Sequence, residues 1–333
     1  MKSVPRNLIP VVMLALLFFG TSCFKNEGSY PLPEIDTTVQ SGSVSMGEDY
    51  STQIFFSLKN GQVLANEYKS WDISFTTRAD SNELWMNGGK NVLIYPTGTT
   101  DFAAVTTTTG ISSTDWKYDA PGGLITTSGL GILGDSNHIG EVLIADDGAG
   151  NYYKLQIEEN TATAYTIKTA ALTANTGTEI TLPKDTNYNY VFYSFANGIV
   201  AVEPPKTDWD LLFTRYRHVY VGFNNDGSDM LYIVNGVLAN PYNTQTASDT
   251  SSGISFEAYS LDNALLDTLK PNRDEIGFDW KSVNINTATY TVLSNYIYLV
   301  SDQESSLWKL HFTNFYDDEG HKGTPKFEYQ RLK

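Results

Sequence analysis

The chain has 333 residues, 13% of them aromatic, and a formal net charge of -16 at pH 7. This acidic balance excludes nucleic acid and anionic lipid surfaces as expected partners, because both attract clustered Lys and Arg. Cysteine occurs once, so no disulfide is expected and the fold has to be held together by its own core.

The amino terminus has the layout of a bacterial lipoprotein signal over residues 1–23. Two basic residues precede an apolar stretch, residues 8–19, which is shorter than the roughly 20 residues that span a bilayer. We expect Cys23 to be the lipidated first residue of a protein anchored in the outer membrane. Glu27, just behind it, resembles an export signal for the extracellular side. The alternative is an ordinary secretory signal followed by a free thiol.

Composition divides the rest of the chain into a tether and two domains. Residues 24–47 are rich in Pro, Ser, Thr and Gly, which predicts a flexible tether. The remaining residues suggest two domains, at roughly 100 to 200 residues each. A turn-rich segment between residues 172 and 182 marks the boundary, so we expect domains at 48–172 and 183–333.

Four landmarks occur twice in the same order, which indicates a duplication. An aromatic strand ending in Asn-Gly comes first, then a Trp-Asp strand, an Asp-Trp-Lys segment and an aromatic-Lys-Leu strand; the pairs are 55–61 with 192–198, 69–78 with 207–217, 115–117 with 279–281, and 153–157 with 308–312. Alternation in the Trp-Asp strand predicts a half-buried strand. Its apolar face would carry Trp209, Leu211 and Phe213, and its other face Asp210, Thr214 and Tyr216.

Two further segments of the second half stand out. Residues 240–253 are rich in Asn, Thr, Ser and Asp, which predicts a mobile loop. Residues 261–269 are the best helix candidate, because their four leucines share one helical face and Pro271 lies just past the end.

The order of these landmarks resembles the HmuY-like lipoproteins of Bacteroidota, as does the acidic turn at 312–320. The resemblance covers the second half well and the first half more loosely, since Thr77 stands where the family has Arg. It implies an all-β fold: two tandem HmuY-like antiparallel β domains with at most one or two short helices. It also implies haem capture at the cell surface, with an outer-membrane transporter as a partner.

The family's two axial haem ligands, His or Met, flank the later Trp, and neither type follows Trp116 or Trp280 here. The substitutes that the chain offers are Met230, His218 and Tyr259, since thioether, imidazole and phenolate groups can all bind haem iron. Arg215 and Arg217 are the candidates for contacts with the haem propionates.

Two alternatives remain beside haem capture. The first is a binding module without haem that recognises a glycan, a peptide or an outer-membrane protein, with Trp85, Trp116 and Trp308 as platforms. The second is a hydrolase using Asp210 or Glu158, but an Asp after a core Trp is more simply a turn-capping or solvent-facing residue. The sequence contains no known catalytic motif, so we assign no catalytic residue and no metal site, and we interpret residues 317–319 as a solvated acidic turn.

Overall fold

The computed structural model describes residues 36–134 and 138–333. The predicted signal peptide, Cys23 and the first part of the tether lie outside the described residues. Within the part that is described, no helix is both long and apolar enough to cross a membrane.

The described residues form twenty strands, and every ladder between named strands is antiparallel. The first ten are β1 (Gln40–Ser43), β2 (Thr52–Ser57), β3 (Gly61–Glu67), β4 (Ile73–Thr76), β5 (Leu84–Met86), β6 (Leu93–Pro96), β7 (Val142–Asp146), β8 (Tyr152–Asn160), β9 (Ala164–Ala171) and β10 (Thr178–Pro183). The others are β11 (Tyr190–Ser194), β12 (Gly198–Val200), β13 (Leu211–Tyr220), β14 (Met230–Ala239), β15 (Gln245–Asp249), β16 (Lys281–Asn284), β17 (Thr289–Val292), β18 (Ile297–Ser301), β19 (Leu307–Tyr316) and β20 (Lys322–Arg331). One short α-helix, α1 (Leu261–Ala264), and three 3-10 turns complete the described elements. The predicted all-β fold is confirmed.

Strands from the two halves of the sequence pair with each other. Hairpin β2–β3 of the first half joins the second half in a four-stranded sheet of order β14-β13-β2-β3. Hairpin β11–β12 of the second half joins the first in the sheet β12-β11-β4-β5. The two five-stranded sheets, β10-β9-β8-β7-β6 and β1-β20-β19-β18-β15, show the same exchange. The edge strand β10, which precedes the strands of the second half, pairs with β9 of the first half, and the edge strand β1, which precedes those of the first half, pairs with β20 of the second. The halves therefore exchange their first strands.

This exchange changes the domain boundaries expected from the sequence. The segment between residues 172 and 182 contains the start of β10, an edge strand that pairs with β9 over six residues. Asp36–Lys333 form one compact unit, so the expected boundary between 48–172 and 183–333 does not separate two compact units.

Three local expectations were also wrong. Part of the predicted tether forms β1, which pairs with β20, while Val44 and Met46 enter the core at 2% and 1% exposure. The predicted loop 240–253 contains β15, because its small polar residues pair with β18. The helix 261–269 ends at Ala264, and two of its leucines are exposed to solvent instead of sharing a buried face.

Strand β13 is largely buried on both faces over residues 211–217, not on one face as its alternation suggests. Leu211 and Phe213 pack into a core formed with β19 and β20. Trp209 lies just before the strand and packs instead with Tyr216 in a second core, which is formed by residues of both four-stranded sheets. Asp210 is buried as well, at 7% exposure. The first part of β13 lies between these two cores, so its polar positions are buried too, whereas residues 218–220 are partly exposed.

The two Asp residues of the Trp-Asp strands make equivalent hydrogen bonds across the exchanged halves. Asp210 Oδ2 accepts from the backbone N–H of Leu58 at 2.8 Å, in the turn that ends β2. Asp72 Oδ2 accepts from the N–H of Phe195 at 2.7 Å, in the turn that ends β11. Each carboxylate thus caps a turn supplied by the other half, in agreement with the turn-capping interpretation of Asp210.

Other buried polar side chains recur in the same way. The side-chain amide of Asn87 donates to the carbonyls of Tyr68 and Trp71, and that of Asn240 donates to the carbonyls of Lys206 and Trp209. Lys154 on β8 and Lys309 on β19 each donate to two backbone carbonyls, the first of which belongs to a Phe whose ring lies 4.4 Å from the ammonium group. Corresponding positions in the two halves of the sequence therefore have similar hydrogen-bond partners.

Candidate functional site

The candidate site lies on one face of the β13–β14 hairpin. The two strands pair without a register shift, with His218 opposite Tyr232 and Tyr220 opposite Met230. Directly opposed residues share a face, as do residues two apart along a strand. His218, Tyr220, Met230 and Tyr232 therefore lie together, and we call these four residues with Phe278 the aromatic hairpin face.

A tight turn positions this face. The N–H of Gly227 donates to the carbonyl of Asn224 at 2.8 Å, and the N–H of Asn224 donates to that of Ser228 at 3.0 Å. Gly227 has φ +80°, a left-handed conformation that glycine adopts without steric cost. The turn brings the ends of β13 and β14 back together and so sets the register.

The rings of the aromatic hairpin face contact one another edge to face. The His218 imidazole lies 4.5 Å from the Tyr220 ring and 5.0 Å from the Phe278 ring, between centroids. Tyr220 also lies 6.3 Å from Tyr232 and 5.6 Å from Phe223 in the turn. Phe223 is 64% exposed and Tyr232 is 52% exposed. The face thus presents aromatic surface to solvent.

A cavity of about 320 Å³, which we call the lateral cavity, lies beside His218. Its wall includes Tyr216 and three carboxylates, Asp274, Glu275 and Asp279. Burial raises the pKa of Asp274 above its usual value. The lateral cavity therefore combines an imidazole and aromatic rings with an acidic wall.

His218 differs from the other three histidines in its hydrogen bonding. The ring of His311 contacts Ser294 O and Glu328 at 3.0 Å each, His138 contacts Glu141, and His321 contacts Asp317 at 3.1 Å. Among the described residues, none makes a hydrogen bond to a ring nitrogen of His218. Its imidazole is thus the one in the described chain whose nitrogens are both free for a ligand.

The structure brings together two of the three haem-ligand candidates and separates the third. His218 and Met230 lie on the same strand face, two residue pairs apart along the ladder. Tyr259 is 1% exposed, packs in another core beside α1 and donates its hydroxyl to Asp267. Desolvation by burial and this carboxylate raise the pKa of Tyr259 far above its ordinary value, which keeps the phenol neutral.

Arg215 and Arg217 alternate with His218 along β13 and therefore belong to the opposite face of the hairpin. Arg217 donates through Nη2 to the carbonyl of Val92 at 2.8 Å and to Asn91 Oδ1 at 3.1 Å. Both arginines line a second cavity, between the four-stranded sheets. Their backbone positions thus alternate with that of His218, although Tyr216 lines both this cavity and the lateral cavity.

The remaining candidates have structural roles. Trp308 is 4% exposed, and Trp116 packs between Tyr95 and Tyr152 with centroid distances of 6.0 Å each. Trp85 is half-buried and lines the second cavity. Glu158 lies 3.9 Å from Lys168 as an ion pair. In the acidic turn, Asp317 accepts from the backbone N–H groups of Glu319 and His321, as a turn-capping residue does.

Sequence reasoning found His218 and Met230 singly but not their common face. It also did not identify Tyr220, Tyr232 and Phe278. The Asn-Asn-Asp-Gly turn at 224–227 is the signal that predicts the first two, because a hairpin closed there opposes alternate residues on both sides. Phe278 comes from a distant loop, and only tertiary contacts place it.

Residues 186–329, somewhat less than half of the chain, match the family model described as HmuY protein. No curated protein matches the sequence. Among solved structures, the chain is similar to apo PinO from Porphyromonas gingivitis at 10% identity and a TM-score of 0.33, covering 89% of this chain and 98% of that one. It is also similar to the apo HmuY analog TFO from Tannerella forsythia at 8% identity and a TM-score of 0.34, covering 91% of this chain and 100% of that one.

Proposed function

We propose, from the premise that residues 186–329 belong to the HmuY protein family, that this protein captures haem or a related tetrapyrrole on the aromatic hairpin face and is not an enzyme. The observation that carries the proposal is the imidazole of His218, free of hydrogen bonds and on the same strand face as the thioether of Met230. Both groups are axial ligands of haem iron in proteins.

The surroundings of His218 suit a flat, largely apolar ligand. Tyr220, Tyr232 and Phe278 supply ring surfaces around the imidazole. Aromatic rings attract other π systems through offset and edge-to-face contacts, at about 0.5–1.5 kcal/mol a pair. A porphyrin bound through His218 would therefore gain stacking contacts as well as an iron–nitrogen bond.

The charges around the site orient such a ligand. Asp274, Glu275 and Asp279 line the lateral cavity. Haem propionates are anionic, so like-charge repulsion directs them away from this wall and toward solvent. Arg215 and Arg217, on the opposite face, do not contact them in this arrangement.

Titration of the purified protein with haemin tests the proposal. We expect a saturable, red-shifted Soret band that is lost in His218→Ala and changed in position in Met230→Leu. Tyr259→Phe is the matched control and should leave the band unchanged, because that hydroxyl is buried against Asp267. A spectrum equal to the sum of free haemin and protein would refute haem capture, and an unchanged band in His218→Ala would refute the site.

We also propose that the protein is anchored through Cys23 in the outer membrane, facing the extracellular side, where an outer-membrane transporter would receive the ligand. The signal at residues 1–23 supports this location. Protease added to intact cells should cleave the protein. Complete protection in intact cells, with cleavage after lysis, would place it in the periplasm.

A glycan is the second candidate ligand, because Phe223 and Tyr232 expose more than half of their surface at the end of the hairpin. Exposed aromatic rings bind the apolar faces of sugars. Retention of a glycan by the wild type without haem, and its loss in a Phe223→Ala and Tyr232→Ala double variant, would favour this function. Equal retention by both proteins would exclude the aromatic hairpin face as the glycan site.

The corresponding hydrogen bonds of Asp72 and Asp210 support a further proposal, that the halves 48–172 and 183–333 are tandem HmuY-like copies. Superposition of β4–β9 on the matching strands from β13 to β20 in a crystal structure should align these two carboxylates. Failure to align them would contradict the duplication.

A further inference from the structure

The second cavity, which we call the inter-sheet cavity, has a volume of about 110 Å³ and lies between the two four-stranded sheets. A water molecule takes about 30 Å³ of liquid volume, and an engineered cavity of about 150 Å³ holds benzene. The inter-sheet cavity therefore has room for a few water molecules or for an organic molecule smaller than benzene. Its aromatic wall includes Phe55, Trp71, Phe192 and Trp209.

One wall of this cavity carries a buried cation that forms no direct ion pair among the described residues, although the nearby Asp119 carboxylate favours its charged form. Arg217 is 1% exposed, and burial lowers the pKa of its guanidinium to about 10, so it stays charged at neutral pH. Nη2 donates to Asn91 and Val92, but Nε and Nη1 have no hydrogen-bond partner among the described residues. No described carboxylate forms an ion pair with Arg217. Buried charges are normally paired, because removing an ion from water costs several kcal/mol.

Further donors among the lining residues also lack partners. The Nε of Arg215 and the indole Nε1 atoms of Trp71 and Trp209 are buried, and no described residue accepts from them. Arg273 adds a third guanidinium to the lining and donates through Nε to the carbonyl of Ala239 at 3.0 Å. The unpartnered atoms of these residues are all donors, so the missing partner is an acceptor.

The two carboxylates of the lining are already engaged. Asp119 accepts from the backbone N–H groups of Met86 at 2.6 Å and Gly129 at 2.7 Å. Glu203 accepts from the N–H of Asn189 at 2.6 Å and from that of Tyr190 at 2.9 Å. Neither satisfies the guanidinium groups directly.

We propose that the inter-sheet cavity binds a small organic carboxylate, with its oxygens toward Arg217 and Arg215 and its apolar body against the aromatic wall. Arginine and carboxylate form paired, charge-assisted hydrogen bonds of good geometry. The indole N–H of Trp71 or Trp209 supplies a further donor. This proposal does not depend on haem capture, because its charged residues are not those of the aromatic hairpin face, although Tyr216 lines both cavities.

The charges that face the cavity give the binding a pH dependence. Burial raises the pKa of Asp119 to about 6 and that of Glu203 to about 7, so both lose their negative charge as the pH falls. The three arginines keep their positive charge. Burial raises the pKa of the lining tyrosines, Tyr190 and Tyr216, so that these stay neutral. The net positive charge therefore rises on acidification, and affinity for a carboxylate should rise several-fold between pH 8 and pH 5.5.

Calorimetric titration of the purified full chain with propionate and isobutyrate, each beside its neutral amide, tests this site. We expect at least one acid to bind saturably at one per chain, at least tenfold more tightly than its amide. Absence of saturable binding by either acid, equal binding of acid and amide, or tighter binding at pH 8 than at pH 5.5 would overturn the proposal. A crystal structure grown with the bound acid that shows only ordered water in the cavity would do the same.

Two variants locate the binding site without replacing the fully buried Arg217, whose loss could prevent folding. Trp71→Phe removes an N–H that has no partner, and Arg215→Gln removes a charge from a half-buried side chain; each should weaken binding by about three- to thirtyfold. Arg78→Gln removes the same charge from a side chain that is 66% exposed and should leave affinity unchanged. Equal affinities in all three variants would exclude the cavity, whatever the haemin titration shows.

Discussion

Replacing Asp210 with alanine is expected to destabilise the protein at low pH and to have little effect at high pH. The carboxylate accepts from the N–H of Leu58, a residue with 0% exposure, at 2.8 Å. Without Asp210 this buried donor has no partner in the described structure. An unsatisfied buried donor costs about 1–3 kcal/mol.

Ionisation of the buried Asp210 carboxylate also lowers the stability of the folded state. Burial, opposed by hydrogen bonds and reinforced by Asp302 and Glu304, raises the pKa of Asp210 from 3.8 to about 6. The folded state therefore binds this proton more tightly than the unfolded state. The resulting stability is fully present below pH 3.8 and is lost as the pH rises through about 6. At about 1.4 kcal/mol per pH unit, the loss is roughly 3 kcal/mol.

Wild type and Asp210→Ala should thus differ by about 1–3 kcal/mol at pH 4.5, and the difference should shrink toward zero at pH 8. Urea unfolding at pH 4.5, 6 and 8, followed by tryptophan fluorescence and circular dichroism, measures this. Asp208→Ala is the control, since Asp208 is exposed and accepts only from the neighbouring Thr207 hydroxyl; it should stay within about 0.5 kcal/mol of wild type. A difference that is constant or grows with pH would refute the reasoning.

Two further predictions concern backbone packing and the start of the folded chain. Gly148 and Gly150 both have positive φ, but a Cβ at Gly148 would lie 1.8 Å from the carbonyl oxygen of Lys90, whereas nothing lies within 4 Å of one at Gly150. Gly150→Ala should cost about 1–2 kcal/mol and Gly148→Ala at least about 2 kcal/mol more, and equal melting temperatures would contradict this. A chain that begins at residue 48 loses β1 and the buried side chains of Val44 and Met46, and should be about 3–6 kcal/mol less stable than one that begins at residue 36. Equal urea midpoints for these two chains would show that β1 is dispensable.

The candidate site could be predicted only in part. Residue chemistry singled out His218 and Met230 as haem-ligand types, but their common face was not predicted, although alternation around the turn at 224–227 carries that information. Tyr259 has the right chemistry too, yet its position beside Asp267 in another core depends on contacts that no local pattern encodes. The inter-sheet cavity was not predictable either, because its three arginines come together around one cavity only when the two four-stranded sheets meet.

The sequence by itself determined the all-β character, the positions of the Asn-Gly turns and the recurrence of the Trp-Asp strands, because alternation and turn chemistry are local properties. It did not determine which strands pair. The two copies have similar alternation, so β2 satisfies the pattern equally well beside β4 or beside β13. The tertiary structure decides for β13, where Asp210 caps the turn after β2 and the apolar side chains of both halves fill one shared core. Backbone hydrogen bonds are the same for either partner, and only the packing of the whole chain distinguishes them.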